Sequence, residues 1–445
     1  MSMMTADDDG APPNGGWPDN VIDFAAEKRL ADLAALHKKL RRMGENGPAM
    51  ACLANTITVL RDDPALAGLV AYDEFAAKAV ITRSPPIMRN GDKGAPGPFP
   101  RAWTNTDVVM IRKHMQNSFI PNAVKSDIED ALDAVALTNR FHPVRDYLDG
   151  LVWDGVPRLN RWLWWVFGVN AADADMNAYH DKVAAAFMIG AVRRIRQPGC
   201  KVENMMILEG KQGIGKSRSL RLLFSPWFSD SLPAKLESKE AVQGLAGRWC
   251  LEFAEIEQMI RSDVEVIKAF LSRQVDEIRL PYAKAVSEFP RQCVLVGTTN
   301  GDDYLRDATG NRRFWPIRCR MVDLEWLAAN RDQLWAEAAA REAVGEEHWL
   351  QSEAPLRAAN RIQHERVETD LWEEDVAAFV AGRSPVRMRD IIDAVIGVEV
   401  SKRDRLLEKR LAKILRRLGY ERRSCREIGN GQVFKGWVLD QNLDV

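Results

Sequence analysis

The residues best suited to chemistry lie in Gly210-Lys-Gln-Gly-Ile-Gly-Lys-Ser217, which fits the pattern G-x-x-x-x-G-K-[ST] of a phosphate-binding loop. In such a loop Gly210, Gly213 and Gly215 let the backbone turn tightly, so that N–H groups from Gln212 through Ile214 to Arg218 face an anion. Lys216 reaches the β and γ phosphates, and Ser217 offers a hydroxyl to Mg²⁺. The expected cofactors are therefore ATP and Mg²⁺. The apolar run Asn204–Leu208 reads as a buried strand and Ser219–Phe224 as the start of a helix, the context the motif requires.

A phosphate loop needs an acid at the end of a neighbouring strand, to hold the metal shell or polarise water. Trp249-Cys-Leu-Glu-Phe-Ala-Glu255 supplies two candidates. Glu255, at the expected strand end, is favoured as catalytic acid and metal partner. Glu252, inside the strand, faces either the metal or a basic partner, since burial is otherwise costly. Gln292-Cys-Val-Leu-Val-Gly-Thr-Thr-Asn300 reads as a further strand. Its terminal Asn300 either positions the attacking water or caps the turn at Gly301-Asp302. Arg312 and Arg313 follow in a turn-rich segment, with Arg306 as a third candidate. They serve either as phosphate-facing arginines, acting on a neighbouring subunit's site if subunits form a ring, or as a structural ion pair.

These groups need a fold to hold them. With 445 residues, 46% hydrophobic and 28% charged, the chain is long enough for two to four globular domains. A net charge of -1 excludes a globally basic nucleic-acid binder, so any such surface must be local. Six scattered cysteines without a CxxC pair, and histidines without metal-ligand spacing, argue against zinc or redox chemistry and for a reducing, cytoplasmic compartment. No apolar run is long enough to span a membrane. Residues 1–22, acidic and rich in Gly and Pro, read as disordered. Residues 23–140 read as a mixed, mainly helical leader: an amphipathic helix from Phe24 to Met43, a Pro/Gly-rich loop from Ser84 to Pro100, and a capping box at Ser126 and Glu129. Residues 141–200 form a helical segment in which Trp153, Trp162, Trp164 and Trp165 are expected to pack a core. The α/β nucleotide-binding core with its trailing helices is placed at 201–345, and a helical connector at 346–371. Residues 372–445, helix, helix, then a strand at Gln432–Leu439, are winged-helix-like.

The order of phosphate loop, Gly247-Arg248-led acidic strand, basic segment and strand ending in Asn300 resembles superfamily 3 helicases, AAA+-like ring motors. More closely, the chain resembles the virulence-associated protein E family of phage and genomic-island ATPases. The stretches that carry this are His142–Leu148, Trp153–Leu159, Pro198–Lys201, Leu208–Ser217, Ala269–Asp276, Phe289–Gln292, Gly297–Asn300 and Gly310–Pro316, together spanning roughly residues 140 to 345. The resemblance implies a P-loop NTPase core assembling as a homo-oligomeric ring, a hexamer, on single-stranded or forked DNA. It implies that Lys268, Arg273, Arg279 and Lys284 approach the ring's channel. Priming would fall to a separate primase, since the leader shows no paired carboxylates.

The segment Ser401–Gly419 reads as a helix with a stripe of Leu407, Leu411, Ile414, Leu415 and Leu418. Lys409, Lys413, Arg416 and Arg417 lie mostly off the stripe, and Arg422, Arg423 and Arg426 extend the patch, which suits DNA phosphates or a plain solvated face. Taken together, the sequence points to an ATP-dependent DNA helicase or translocase of a mobile element. The alternative is a nucleotide-controlled switch that binds DNA or a partner without unwinding. A small-molecule kinase is disfavoured by the chain's length, the lack of a lid and the basic tail.

Overall fold

The computed structural model describes residues 24–86, 98–171, 173–231, 236, 238–278, 287–301, 304–305, 310–366, 371–397, 404–426 and 433–439. Residues 1–22, Arg279, Lys284 and Arg306 lie outside them.

The N-terminal unit comprises α1 (Phe24–Lys39), α2 (Leu53–Asp62), β1 (Val70–Asp73), β2 (Lys78–Ile81), β3 (Arg101–Ala102), α3 (Asn105–Ser118), α4 (Lys125–Ala136) and β4 (Arg140–Phe141). Its strands form one sheet in the order β3-β2-β1-β4, around a core that includes Leu60, Ile81, Ile111 and Leu132. The capping box expected at Ser126 is not formed: α4 starts at Lys125, with Val124 as its N-cap. Starting there buries Ile128, Leu132 and Val135 along one face. The reciprocal cap occurs instead on α3, between Thr104 and Asp107.

The central unit comprises α5 (Pro143–Asp149), α6 (Trp162–Phe167), α7 (Ala174–Arg196), β5 (Met205–Glu209), α8 (Lys216–Phe224), β6 (Phe228–Ser229), α9 (Lys239–Gln243), β7 (Cys250–Phe253), α10 (Ile256–Ser272), β8 (Val275–Ile278), β9 (Ser287–Pro290), β10 (Val294–Thr299), β11 (Phe314–Arg318), α11 (Leu324–Ala343) and α12 (Glu353–Glu365). Five strands form a parallel sheet in the order β11-β5-β10-β7-β6. The chain is thus an α/β protein built on a parallel sheet. Parallel strands covered on both faces read as unbroken apolar runs, and every residue of β5, β7 and β10 is buried. Side chains alternate: Met206, Leu208 and Val296 face the helical layer of α7, α8 and α11, while Met205, Ile207, Leu251 and Leu295 face α10.

The 141–200 segment shares this core: α7 is buried almost all round from Tyr179 to Ile195. Helix α12, expected as a connector, packs onto the core as well, through Ala358, Ala359 and Ile362. Of the four tryptophans expected to pack, only Trp162 is fully enclosed; Trp165 is 42% exposed. The difference is one of helical phase, since consecutive tryptophans on a one-and-a-half-turn helix cannot all face inward.

The C-terminal unit has its own core of Val376, Val380, Ile391, Leu411, Ile414, Leu415 and Trp437. It consists of α13 (Glu373–Val380), α14 (Met388–Ile391) running into a π turn, α15 (Arg405–Arg417), and an antiparallel ribbon of β12 (Tyr420–Arg426) and β13 (Val433–Leu439). Val386 bridges to Trp437 as a third, one-residue strand beside β13.

Candidate functional site

In an open parallel sheet, ligands sit outside the carboxyl ends of the strands. Three strand ends converge there. Strand β5 runs into the glycine loop, β7 into Ala254-Glu255 and β10 into Asn300, and the cleft between them holds about 310 Å³, lined by Gln212, Gly213, Gly215, Lys216, Ser217 and Arg218. Because β10 lies between β5 and β7, Asn300 stands between the loop and the acidic strand.

The loop glycines are there for the backbone. Gly210 has φ +149°, and a Cβ at that position would fall 2.6 Å from the Cys319 carbonyl oxygen. Gly215, at φ +106°, opens α8 in a conformation that L side chains rarely adopt. Ile214 is half-buried and packs on the core, anchoring the tip. The Lys216 ammonium folds back over the loop, donating to the carbonyl oxygens of Gly210 (2.5 Å) and Lys211 (3.0 Å) and to Asn300 Oδ1 (3.3 Å). Burial lowers its pKa, against the pull of Glu252 and Glu257, which favour the charge.

Glu252, not Glu255, meets the loop. Its side chain is buried, and Oε1 accepts from Ser217 Oγ at 2.6 Å and from Thr298 Oγ1 at 2.7 Å. Its Oε2 is buried without a hydrogen-bond partner. An unmatched buried carboxylate oxygen is costly, by about 1–3 kcal/mol. A carboxylate and a hydroxyl converging with one oxygen left over is a donor set that fits a hard divalent cation such as Mg²⁺. Glu255 lies two residues past the end of β7, exposed on the cleft rim, and accepts from Gln258 Nε2 at 2.6 Å. Its backbone is left-handed, at φ +50°, a strained position for a residue with a side chain.

The remaining expected residues are elsewhere. Arg312 and Arg313 precede β11, at the opposite end of the sheet from the loop, separated from it by a five-residue strand, roughly 17 Å. Arg313 Nε donates to Ser272 Oγ (3.0 Å), and both arginines approach Glu203, at 3.6 and 3.7 Å. Lys268 is buried. It is 5% exposed, its stem lies under Gly310, and its ammonium pairs with Glu265 at 3.0 Å. Arg273 pairs with Asp276 at 3.3 Å, and buried Arg291 holds the same carboxylate at 2.7 and 2.8 Å. Strands β8 and β9 form an antiparallel ribbon, whose connecting residues, with Arg279 and Lys284, lie outside the described residues. In the C-terminal unit Lys409, Lys413 and Arg416 are exposed on α15, whereas Arg417 is half-buried against Glu373 at 3.1 Å.

Four participants were missed from sequence. Thr298 was within the quoted Thr-Thr-Asn run, and its spacing of two from Asn300 puts both on one side of the strand, which could have revealed it. Tyr304 and Arg366 had no signal. Glu209, the last residue before the loop, accepts from the Tyr304 hydroxyl at 2.8 Å and takes a two-pronged contact from buried Arg366, both at 2.9 Å. Among the described residues no group of three His, Cys, Asp or Glu side chains could hold a metal by itself. Among them, too, no helix is long and apolar enough to cross a membrane.

Among solved structures, the chain is similar to the apo structure of the NrS-1 C terminal region (305-718), at 13% identity and a TM-score of 0.39, covering 83% of this chain and 96% of that one. The A form apo structure of the same region gives a TM-score of 0.42 at the same identity and coverage. No curated protein matches. The model of the virulence-associated protein E-like domain matches residues 148–368, the span that holds the parallel sheet, its loop and α12. Through these residues the chain belongs to the virulence-associated protein E-like family.

Proposed function

We propose that the protein is an ATP-hydrolysing P-loop motor that works on DNA in the replication of a phage or other mobile element, as a ring that draws a single strand through its centre. The observation that carries this reading is the junction of Ser217 and Glu252 at 2.6 Å, beside Lys216 and Asn300, with Glu252 Oε2 left unmatched. In this reading Lys216 neutralises the β and γ phosphates, and Ser217 and Glu252 hold Mg²⁺, which supplies further charge neutralisation at the phosphates. Glu255, strained at the rim, takes the proton of the attacking water, and Asn300 orients that water. Arg312 or Arg313 lies too far from its own loop and acts on the site of a neighbouring copy. The C-terminal unit, with its helix, bridge, helix, helix and ribbon order, serves as a winged-helix module whose α15 meets DNA phosphates.

The test is ATP turnover by the full chain with and without single-stranded DNA, alongside strand displacement on a forked duplex. Lys216→Ala is expected to lower turnover by about two orders of magnitude or more, with the far-UV circular dichroism unchanged. Full turnover in that variant would remove the assignment. A second reading, a nucleotide-controlled switch that binds DNA or a partner without unwinding, draws on the burial of Lys268 and the pairing of Arg273, which take two cations away from a strand-gripping role. Turnover indifferent to DNA and an absence of strand displacement would favour it.

A further inference from the structure

The region beside the loop contains an aromatic surface that the phosphate chemistry does not use. Residues 320–323 follow β11 and are stitched to the end of α6: Arg320 N–H and Met321 N–H donate to the Phe167 carbonyl at 2.9 and 3.4 Å, and Asp323 N–H donates to that of Val166 at 2.8 Å. The same short segment lies against the phosphate loop, since a Cβ on Gly215 would touch Val322 at 3.5 Å. Helix α11 then runs alongside α8 in the same direction. Its Arg331 and Trp335 side chains both donate to the Leu223 carbonyl, at 3.1 and 2.9 Å, near the end of α8. At about 1.5 Å of rise per residue, Trp326 on the first turn of α11 is therefore level with the start of α8, where the loop ends. Trp326 packs against Trp165 of α6 with ring centroids 4.8 Å apart and the ring planes inclined at 42°. Trp165 is 42% exposed and Met321 is 48% exposed. The exposed face of Trp165, buttressed by a second indole and beside a thioether, lies next to an anion-binding loop and suits a flat π system linked to the phosphates.

We infer that Trp165, backed by Trp326 and flanked by Met321, is the platform on which the base of a purine nucleoside triphosphate stacks. This rests on the phosphate-loop reading above and adds to it the part of the ligand that the loop does not touch. Purines offer the larger face, and stacking tolerates either purine, since every base has one.

The test is isothermal titration of the full chain, in Mg²⁺, with ATP and with inorganic tripolyphosphate. Wild type is expected to bind ATP at least about 10-fold more tightly than tripolyphosphate, the difference being the stacked base. Trp165→Ala is expected to remove that preference while leaving tripolyphosphate affinity unchanged, which also shows that the loop is still folded. Trp165→Phe restores most of the preference. If Trp165→Ala keeps the full preference for ATP, the platform is wrong and the phosphate site stands. If wild type takes up neither ligand, the phosphate-loop reading fails, and the platform fails with it.

Discussion

Cations inside the central unit and cations on the C-terminal unit have opposite fates. Arg291 and Arg366 are 3% and 5% exposed, and each grips one carboxylate, Asp276 or Glu209, through two nitrogens. Lys409 and Arg416 on α15, and Arg422 and Arg426 on β12, are exposed on a small unit whose buried stripe is apolar. The same residue types serve in one region as rivets between distant elements and in the other as a charged coat. The difference follows from desolvation. A guanidinium taken out of water must be matched with good geometry, whereas one left in water stays available to any anion.

The sharpest way to break this contrast is to cut a rivet. Arg366→Ala leaves Glu209 buried beneath the loop without its charged partner and should destabilise the fold by about 3–5 kcal/mol, read from urea denaturation. The double variant Glu209→Leu/Arg366→Met should recover much of that loss, because an apolar pair has no charge to strand. A loss under about 1 kcal/mol in the single variant would mean that the inner cations are no different from the outer ones.

Acid offers a second, smaller probe, by forcing a charge inside. Burial, with a lesser push from Arg320, takes His180 down to a pKa of about 4. An unfolded imidazole takes its proton near pH 6.5. Between those values the unfolded chain binds more protons than the folded one. The contribution of His180 is therefore complete above about pH 6.5, falls as acid is added, and is lost once the folded pKa near 4 is passed. The loss is about 3 kcal/mol at most. His180→Phe should flatten the thermal-melting profile over that window; a profile identical to wild type would show that the ring is not enclosed in solution.

The smallest stability effect is expected outside. Changing Lys409, Lys413 and Arg416 to Ala should move stability by no more than about 0.5 kcal/mol per site. On the proposed DNA contact, the same triple variant should reduce the slope of log affinity against log salt by about 3. An unchanged slope would place the DNA surface elsewhere.

The parts legible in the sequence were local. Strand, loop and helix at 205–224 are written in one contiguous stretch, and the amphipathic stripe of α15 is likewise contained in its own spacing. Which of Glu252 and Glu255 contacts the loop was not, because it depends on where β7 ends. The strand stops at Phe253, so the chain turns before Glu255, and side-chain alternation aims Glu252 at Ser217. The burial of Lys268 was not legible for a related reason. A helical stripe shows which residues share a face but not what covers the flank, and here the turn at Gly310 lies over it. Glu209, Tyr304 and Arg366 are separated by 95 and 157 positions, and only the folded chain brings them together.

Strand β11 has one further consequence. Its first residues follow the arginine pair at one rim of the sheet, and it leads directly to the Cys319 carbonyl against which Gly210 is jammed. Extended backbone bonded along its length to β5 is stiff along its axis, so the separation of those two points is fixed. On the ring proposed above, a load on Arg312 at the far rim would reach Gly210 through this one strand.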